Sequence, residues 1–314
     1  MPPDLSVVIP TLNRRDTLAH VLPALAAQTY PASRFEIMLC DAGSTDGTAQ
    51  LVKEMQLPNL HWLPAPDAGR AGARNRGVAA ARGQIVVFTD ADTIPEADWL
   101  EAHADAHVTR SETAIVGCEI QVDDINEIES VRRDPKRRRT RHPDNRSRLS
   151  WMYFLTGNAS VPRGLLVQCG PFDESFTGYG HEDLELGYRL ARSGVAIRYL
   201  PRAVNYHCHP VPLEERCEKM RMAGASTVRF YRKHRDPRIA LRLGLNPLSW
   251  AWHALMPEGG SLWRHCRSRM GTVSVARTVA LQHAYLSGLK KEWRAAAIDR
   301  VVERSDRRRH PARQ

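Results

Sequence analysis

The chain has 314 residues, 42% of them hydrophobic and 25% charged, enough for one large domain or two smaller ones with a sizeable core. No apolar run approaches the roughly 20 residues that cross a bilayer, and the six cysteines form no Cys-x-x-Cys pair, which argues against a spanning protein and a disulfide framework. The formal net charge of +10 asks for an anionic partner: nucleic acid, an anionic membrane or an anionic substrate. Nucleic acid is the weakest of these, and is not expected as a partner, because no helix-turn-helix, finger, RRM or KH signature accompanies the charge. The opening Met1-Pro2-Pro3-Asp4 has no basic n-region or apolar h-region, so no secretory signal is expected. The cysteines then read as reduced cytosolic thiols.

In chain order, Leu5 to Pro10 predicts a buried strand, and Thr11-Leu12-Asn13 its exit turn. Leu18, Val21, Leu22 and Leu25 recur at helical spacing. A second strand, Phe35 to Cys40, ends in Asp41-Ala42-Gly43-Ser44-Thr45-Asp46-Gly47, and a helix follows to about Met55. Turn formation and helix capping are the ordinary readings of Asp41 and Asp46. A third short strand, His61 to Leu63, leads to a helix starting in Asp67 to Gly77, whose arginines suit phosphate. The apolar run Gln84 to Phe88 then ends in Thr89-Asp90-Ala91-Asp92. Ligands of open α/β sheets bind outside the carboxyl ends of strands. Two acids there can hold Mg²⁺ or Mn²⁺, cations that also bind a substrate's phosphates. A solvated loop with two surface acids is the ordinary alternative. The alternation of strands and helices predicts a mostly parallel sheet covered on both faces.

Val-Val-Ile-Pro-Thr-x-Asn at 7–13, Asp-Ala-Gly-Ser-Thr-Asp-Gly at 41–47, Gly-Ala-Arg-Asn-Arg-Gly at 72–77 and Asp-Ala-Asp at 90–92 occur in this order. Together they resemble a family 2 glycosyltransferase with the GT-A (Rossmann-like) fold, over roughly residues 5–235. The resemblance implies nucleotide-sugar contacts at Thr11, Asn13, Asp41, Arg74, Asp90 and Ala91. Asp41 would accept from the base, uracil in many relatives, and an acid is apt for an imide N–H. Asp92 would be the firmest ligand of a divalent metal, Mn²⁺ or Mg²⁺, with Asp90 on the ribose or the metal. Ala42 stands where many relatives carry a second acid or an amide.

Further on, Pro95 fits the first turn of a helix with Trp99 and Leu100, and Ala114 to Cys118 reads as a strand. The stretch Arg132 to Arg148 is rich in arginine and lacks apolar periodicity, which predicts a loop. It is either a solvated charge run or a surface for anionic lipid or a phosphate-bearing acceptor. After a predicted aromatic strand, Trp151 to Phe154, comes Thr156 to Arg163, similar to the family's segment between donor sugar and acceptor. Asn158 there is either an acceptor-hydroxyl contact or an Asx turn. Phe172 to Asp183 contains Gly178-Tyr179-Gly180-His181-Glu182-Asp183, ahead of a helix from Leu184 to Arg192. Acids at a helix start are favoured by its dipole. The segment also looks like the Gly-x-Gly-x-Glu-Asp acceptor-side motif of inverting members. That likeness implies Asp183 as general base, with Glu182 contacting acceptor or supporting the loop. A strand from Ala196 to Leu200 leads to Val204 through His209, where the resemblance implies His207 as third metal ligand, with His209 as fallback.

Leu213 to about His234 predicts a helix. A later stripe of Val279, Leu286, Leu289 and Trp293, near Lys290, Lys291 and Arg294, suits a membrane surface or a packed helix or dimer partner. The tail after Asp299 reads as disordered.

The expected organisation is a GT-A domain over 1–235, divided into a nucleotide-sugar half (1–122), a basic loop (123–149) and an acceptor half (150–235), then a helical extension (236–299) and a basic tail (300–314). The expected function is metal-dependent, inverting transfer of a sugar, from a UDP-sugar by preference, to a glycan or lipid-linked glycan hydroxyl in surface polysaccharide synthesis. The expected setting is cytoplasmic, peripheral on the inner face of the membrane, with oligomerisation open through the C-terminal helices. The alternatives are a non-catalytic carbohydrate-binding relative and a basic nucleic-acid-binding protein, whose signature would be steep salt dependence.

Overall fold

Strands β1 (Leu5–Thr11), β2 (Phe35–Asp41) and β4 (Ile85–Thr89) are nearly continuous runs of buried residues, as strands covered on both faces must be. With β3 (Leu60–Pro64) they form a parallel sheet in the order β3-β2-β1-β4. The computed structural model describes residues 2–134, 136, 148–208, 210–256, 260–261, 264 and 274–309. Helices α1 (Arg15–Ala26), α2 (Thr48–Met55) and α3 (Gly69–Ala80) connect these strands. Leu18, Val21, Leu22 and Leu25 of α1 are fully buried, as their spacing predicts.

β5 (Thr93–Pro95), α4 (Trp99–Val108), β6 (Thr113–Val122), α5 (Ile128–Arg133), β7 (Arg148–Leu149), β8 (Asn158–Pro162), α6 (Arg163–Cys169), α7 (Glu182–Arg192) and β9 (Ala196–Cys208) complete this part. β8 runs antiparallel between β4 and β6, β6 is parallel to β9, and β5 and β7 pair antiparallel with β9. The longest ladders are parallel, so the sheet is mixed but mostly parallel, and helices flank it.

Several elements differ from expectation. Pro95 closes β5 rather than opening a helix, because Thr93, Ile94 and Pro95 pair with β9 and delay the helix to Trp99. Trp151–Tyr153 is a 3₁₀ turn, not a strand: the Ser150 hydroxyl and carbonyl accept from Met152 and Tyr153, which curls the chain. The predicted strand at 196–200 and the segment from Val204 are one strand as far as Cys208, with a register shift opposite Gly117 and Cys118. Arg137, Arg138 and Arg139 lie outside the described residues. Arg132 and Arg133 of the basic stretch are in α5, and Arg132 pairs with Glu96 at 2.9 Å.

The chain divides into two compact units, 1–177 with 182–210, and 178–181 with 211–314. The second unit contains α8 (Leu213–His234), α9 (Pro237–Arg242), α10 (Pro247–Leu255) and α11 (Ser274–Arg309). α8 has the predicted bounds. α11 continues through most of the tail expected to be disordered, with no proline or glycine between Gly288 and Arg309 to stop it. α8 and α11 meet at two glycines: a Cβ on Gly288 would fall 1.9 Å from the Arg221 carbonyl oxygen, and one on Gly224 2.0 Å from that of Tyr285. The stripe on α11 is spent inside this unit. Leu286 and Leu289 are buried, and the Trp293 ring lies 6.0 Å from that of Tyr231 and 6.4 Å from that of Trp250. Among the described residues no helix is long and apolar enough to cross a membrane.

Candidate active site

The register gathers the predicted residues at one edge of the sheet. Thr11 pairs with Asp41 at the ends of β1 and β2, and Val8 pairs with Phe88, so Asp90 follows β4 at the same edge. β8 adds its own start there, since Asn158 pairs with Thr89. Hydroxyls fix the turn between β4 and β5. Thr93 Oγ1 accepts from the Asp90 N–H at 3.1 Å and donates to the Asp90 carbonyl at 2.8 Å. The Ala91 carbonyl accepts from Thr17 Oγ1 at 2.8 Å.

Arg74 on α3 joins the two sequence motifs that carry acids. Its Nη2 donates to Asp90 Oδ1 at 2.9 Å and its Nη1 to Glu182 Oε1 at 3.0 Å, with the side chain only 4% exposed. Burial pulls the pKa of this guanidinium down, but Asp90, Glu182 and Asp183 outweigh it and hold its proton more tightly than usual. Burial would likewise push Asp90 up, yet Arg74, then His207 and Arg70, hold it below the ordinary carboxylate value. Asp183 goes the other way. Burial, and then the neighbouring Glu182 charge, push its carboxyl up to about 7. A carboxyl so tuned can take a proton near neutral pH, the property a general base needs.

Three buried polar atoms among these residues make no hydrogen bond: Thr11 Oγ1, Arg74 Nε and Glu182 Oε2. Each such atom costs about 1–3 kcal/mol unless water or a ligand completes its bonding.

Asp92 and His207 form a second pair. Thr93 sits opposite His207 in the β5–β9 ladder, which brings Asp92 Oδ1 to 3.5 Å from His207 Nε2. Among the described residues no three His, Cys, Asp or Glu side chains converge as a ready-made metal cluster, and Asp90 Oδ1 is engaged by Arg74. Two donors of this kind nevertheless fit a cation that takes its remaining ligands from water and a diphosphate, the habit of Mg²⁺ and Mn²⁺. His209 lies outside the described residues.

Other predicted residues have structural partners. Asp41 Oδ1 accepts from the Gly43 and Ser44 N–H groups at 3.2 and 2.8 Å, and Oδ2 from the Trp62 indole at 3.3 Å. Asn13 latches the first loop to the second: Oδ1 accepts from the Thr45 N–H and its own N–H donates to Ser44 Oγ, both at 2.8 Å. Asp46 accepts from the Thr48 N–H and hydroxyl and the Arg15 N–H, the capping role.

Asn158 is buried, and its amide is fully used. Nδ2 donates to Ala203 O and Asn205 Oδ1, while Oδ1 accepts from the Trp99 indole at 2.9 Å and from His103 Nε2 at 3.0 Å. No atom of it is left for an acceptor hydroxyl. The donor at His103 Nε2 makes Nδ1 the acceptor from Ser160 Oγ, which in turn accepts from His107 Nε2. Burial first of all drives the pKa of both imidazoles down, to about 3 for His103 and about 4 for His107, so both are neutral at pH 7. Their ordinary value is 6.5, so the unfolded chain binds protons that the folded one refuses. Stability is fully present above pH 6.5 and drains away toward pH 4, by up to about 2.7 kcal/mol per pH unit with two protons involved. Denaturant melts at pH 7 and 5 should show the loss, and His107→Gln should make it shallower. Equal stability at the two pH values would sink this account.

Sequence reasoning missed Trp62 beside Asp41, Gln121 beside His207, and Glu119, which Gln121 bonds to. The alternation of Glu119 and Gln121 in an otherwise apolar run was the available signal. A Cβ on Gly157 would lie 2.1 Å from Glu119 Oε2 and 3.4 Å from Asp90 Oδ2, so only glycine lets these two acids crowd the β8 entrance.

A curled, mostly parallel sheet flanked by helices, with acids after β4 and at the start of α7, has the GT-A fold. The mannosyltransferase PcManGT from Pyrobaculum calidifontis, solved in complex with GDP-Man and Mn²⁺, superposes with a TM-score of 0.62 at 22% identity, covering 93% of this chain and 87% of that one. S. aureus TarS 1–349 in complex with UDP gives 0.55 at 18% identity, covering 94% and 92%. Residues 6–171 match the model of glycosyl transferase family 2, and the chain belongs to that family. It is 33% identical over 221 residues to a validoxylamine A glucosyltransferase of Streptomyces hygroscopicus subsp. jinggangensis, a match covering 62% of this chain and 52% of that protein. It is 29% identical over 248 residues to a chondroitin synthase of Escherichia coli, covering 68% and 36%. The chain thus spans about half the length, or less, of these curated relatives.

Proposed function

We propose that this protein transfers one sugar from a nucleotide-sugar, a UDP-sugar by preference, to a hydroxyl of a glycan or glycolipid acceptor, with inversion at the anomeric carbon. The observation that carries this reading is Asp183, a carboxyl pushed up to about 7 beside the Arg74–Asp90–Glu182 cluster. In the step, Asp183 accepts the proton of the acceptor hydroxyl as that oxygen bonds to the anomeric carbon. The bond from that carbon to the diphosphate oxygen breaks, and the nucleoside diphosphate leaves with the electron pair. Asp92 and His207 would hold a Mn²⁺ or Mg²⁺, which when bound offsets charge on the diphosphate. Arg74 steadies Asp90 and Glu182, and Glu182 flanks the acceptor side.

UDP is favoured because Asp41 at the end of β2 is an acid that an imide N–H can donate to, with the Trp62 indole of β3 already bonded to it. Polysaccharide or glycolipid assembly is the proposed setting, by kinship with chondroitin synthase. Calorimetric titration with UDP and with GDP, each with and without Mn²⁺, tests the reading. UDP should bind, and more tightly with the metal. Binding of GDP alone would change the donor, and absence of any nucleotide binding would overturn the reading.

A further inference from the structure

We propose that Gln121, oriented by Glu119, is a positioning residue that fixes the tautomer of His207 and so keeps Nε2 as a lone pair aimed at Asp92. The inference rests on the metal reading above but reaches residues that no motif marks.

β6 is parallel to β9, and the register sets Gln121 beside His207 and Glu119 beside Asn205. Residues two apart on a strand share a face, so Glu119 and Gln121 stand in one row. Gln121 Nε2 donates to Glu119 Oε1 at 2.8 Å. A carboxylate accepts only, which turns the Gln121 carbonyl oxygen the other way, to 2.9 Å from His207 Nδ1. A carbonyl oxygen also only accepts, so Nδ1 carries the proton. Whenever the ring is neutral, Nε2 is then the unprotonated nitrogen, and it lies 3.5 Å from Asp92 Oδ1. A carboxylate oxygen and an imidazole nitrogen so placed are donors of the kinds that Mn²⁺ accepts. Ligating histidines commonly rely on such an outer acceptor, and losing it costs about 10- to 100-fold in metal affinity.

The test uses the full chain and three variants. Gln121→Met is close in volume and lacks the amide; Gln121→Ser replaces it should the methionine variant not fold. Gln121→Glu retains an acceptor. Nitrogen-15 shifts of His207 in the metal-free protein report the tautomer, and titration with Mn²⁺ in the presence of UDP reports affinity. Expected are the Nδ1–H tautomer in the native chain, a shift toward Nε2–H in Gln121→Met, a fall of about 10- to 100-fold in Mn²⁺ affinity, and rescue of both by Gln121→Glu. An unchanged tautomer in Gln121→Met, or a changed tautomer with unchanged affinity, overturns the proposal. A native chain that binds no Mn²⁺ would instead defeat the metal reading of the site, while the tautomer measurement still judges the role of Gln121.

Discussion

Asp183→Asn should lower kcat by about 10²- to 10⁴-fold, the range lost when a positioned general base is removed. Asparagine keeps the acceptor that Asp183 Oδ1 offers to the Leu184 N–H at 2.7 Å, so the start of α7 survives. UDP and Mn²⁺ binding should change little. The pH profile separates this from a folding defect. The native kcat/KM should fall on acidification with a midpoint near the Asp183 value of about 7, because the base must be ionised to accept a proton. The residual rate of the variant should lack that limb. Stability carries an independent sign. A carboxyl whose pKa is raised on folding opposes folding when it is ionised, so at pH 8 the variant should melt no lower than the native chain. Residual activity above a tenth of native, or persistence of the acidic limb, would remove Asp183 from the role.

Asp92→Ala should abolish the Mn²⁺-dependent part of nucleotide binding. Losing an outer partner of a metal ligand costs about 10- to 100-fold, so loss of the ligand itself should cost about 100-fold or more. Linkage requires the reciprocal effect: UDP should cease to tighten Mn²⁺ binding. His207→Ala should act in the same direction. Asp90→Asn differs in kind: its amide oxygen keeps an acceptor for Arg74 Nη2, but the charge that offsets the buried guanidinium beside Glu182 is lost. Calorimetry with Mn²⁺ and UDP in each variant checks the set. Metal-dependent binding that survives Asp92→Ala would place the ligands elsewhere.

What the sequence disclosed followed from locality. β1, β2 and β4 are apolar runs whose polar exits hold Thr11, Asp41 and Asp90, and pattern alone finds such residues. α8 has the bounds its residues predict. What escaped depends on partners far along the chain. Arg74 meets Glu182 across 108 positions, and Asn158 meets Trp99 and His103 across more than 50. The Asn158 side chain suits an Asx turn or a substrate contact equally well until those partners are known. β5 has only three residues, too few for a periodicity, and exists through its pairing with β9. Glu119 and Gln121 left a period-two trace, but their meaning lies in the neighbour that the β6–β9 register supplies.

The reversal of β8 between β4 and β6 has a consequence for how this protein tolerates length change. Side chains alternate faces along a strand, so inserting or deleting one residue within Asn158–Pro162 would exchange inward and outward positions at once. Asn158 and Ser160 would leave the buried histidines, and Gly157 would no longer stand between Glu119 and Asp90. Indels in this strand should give no soluble protein rather than a soluble protein with a weakened site, whereas a point change at the exposed Gly164 just beyond it, where a Cβ would meet nothing within 4 Å, should be absorbed.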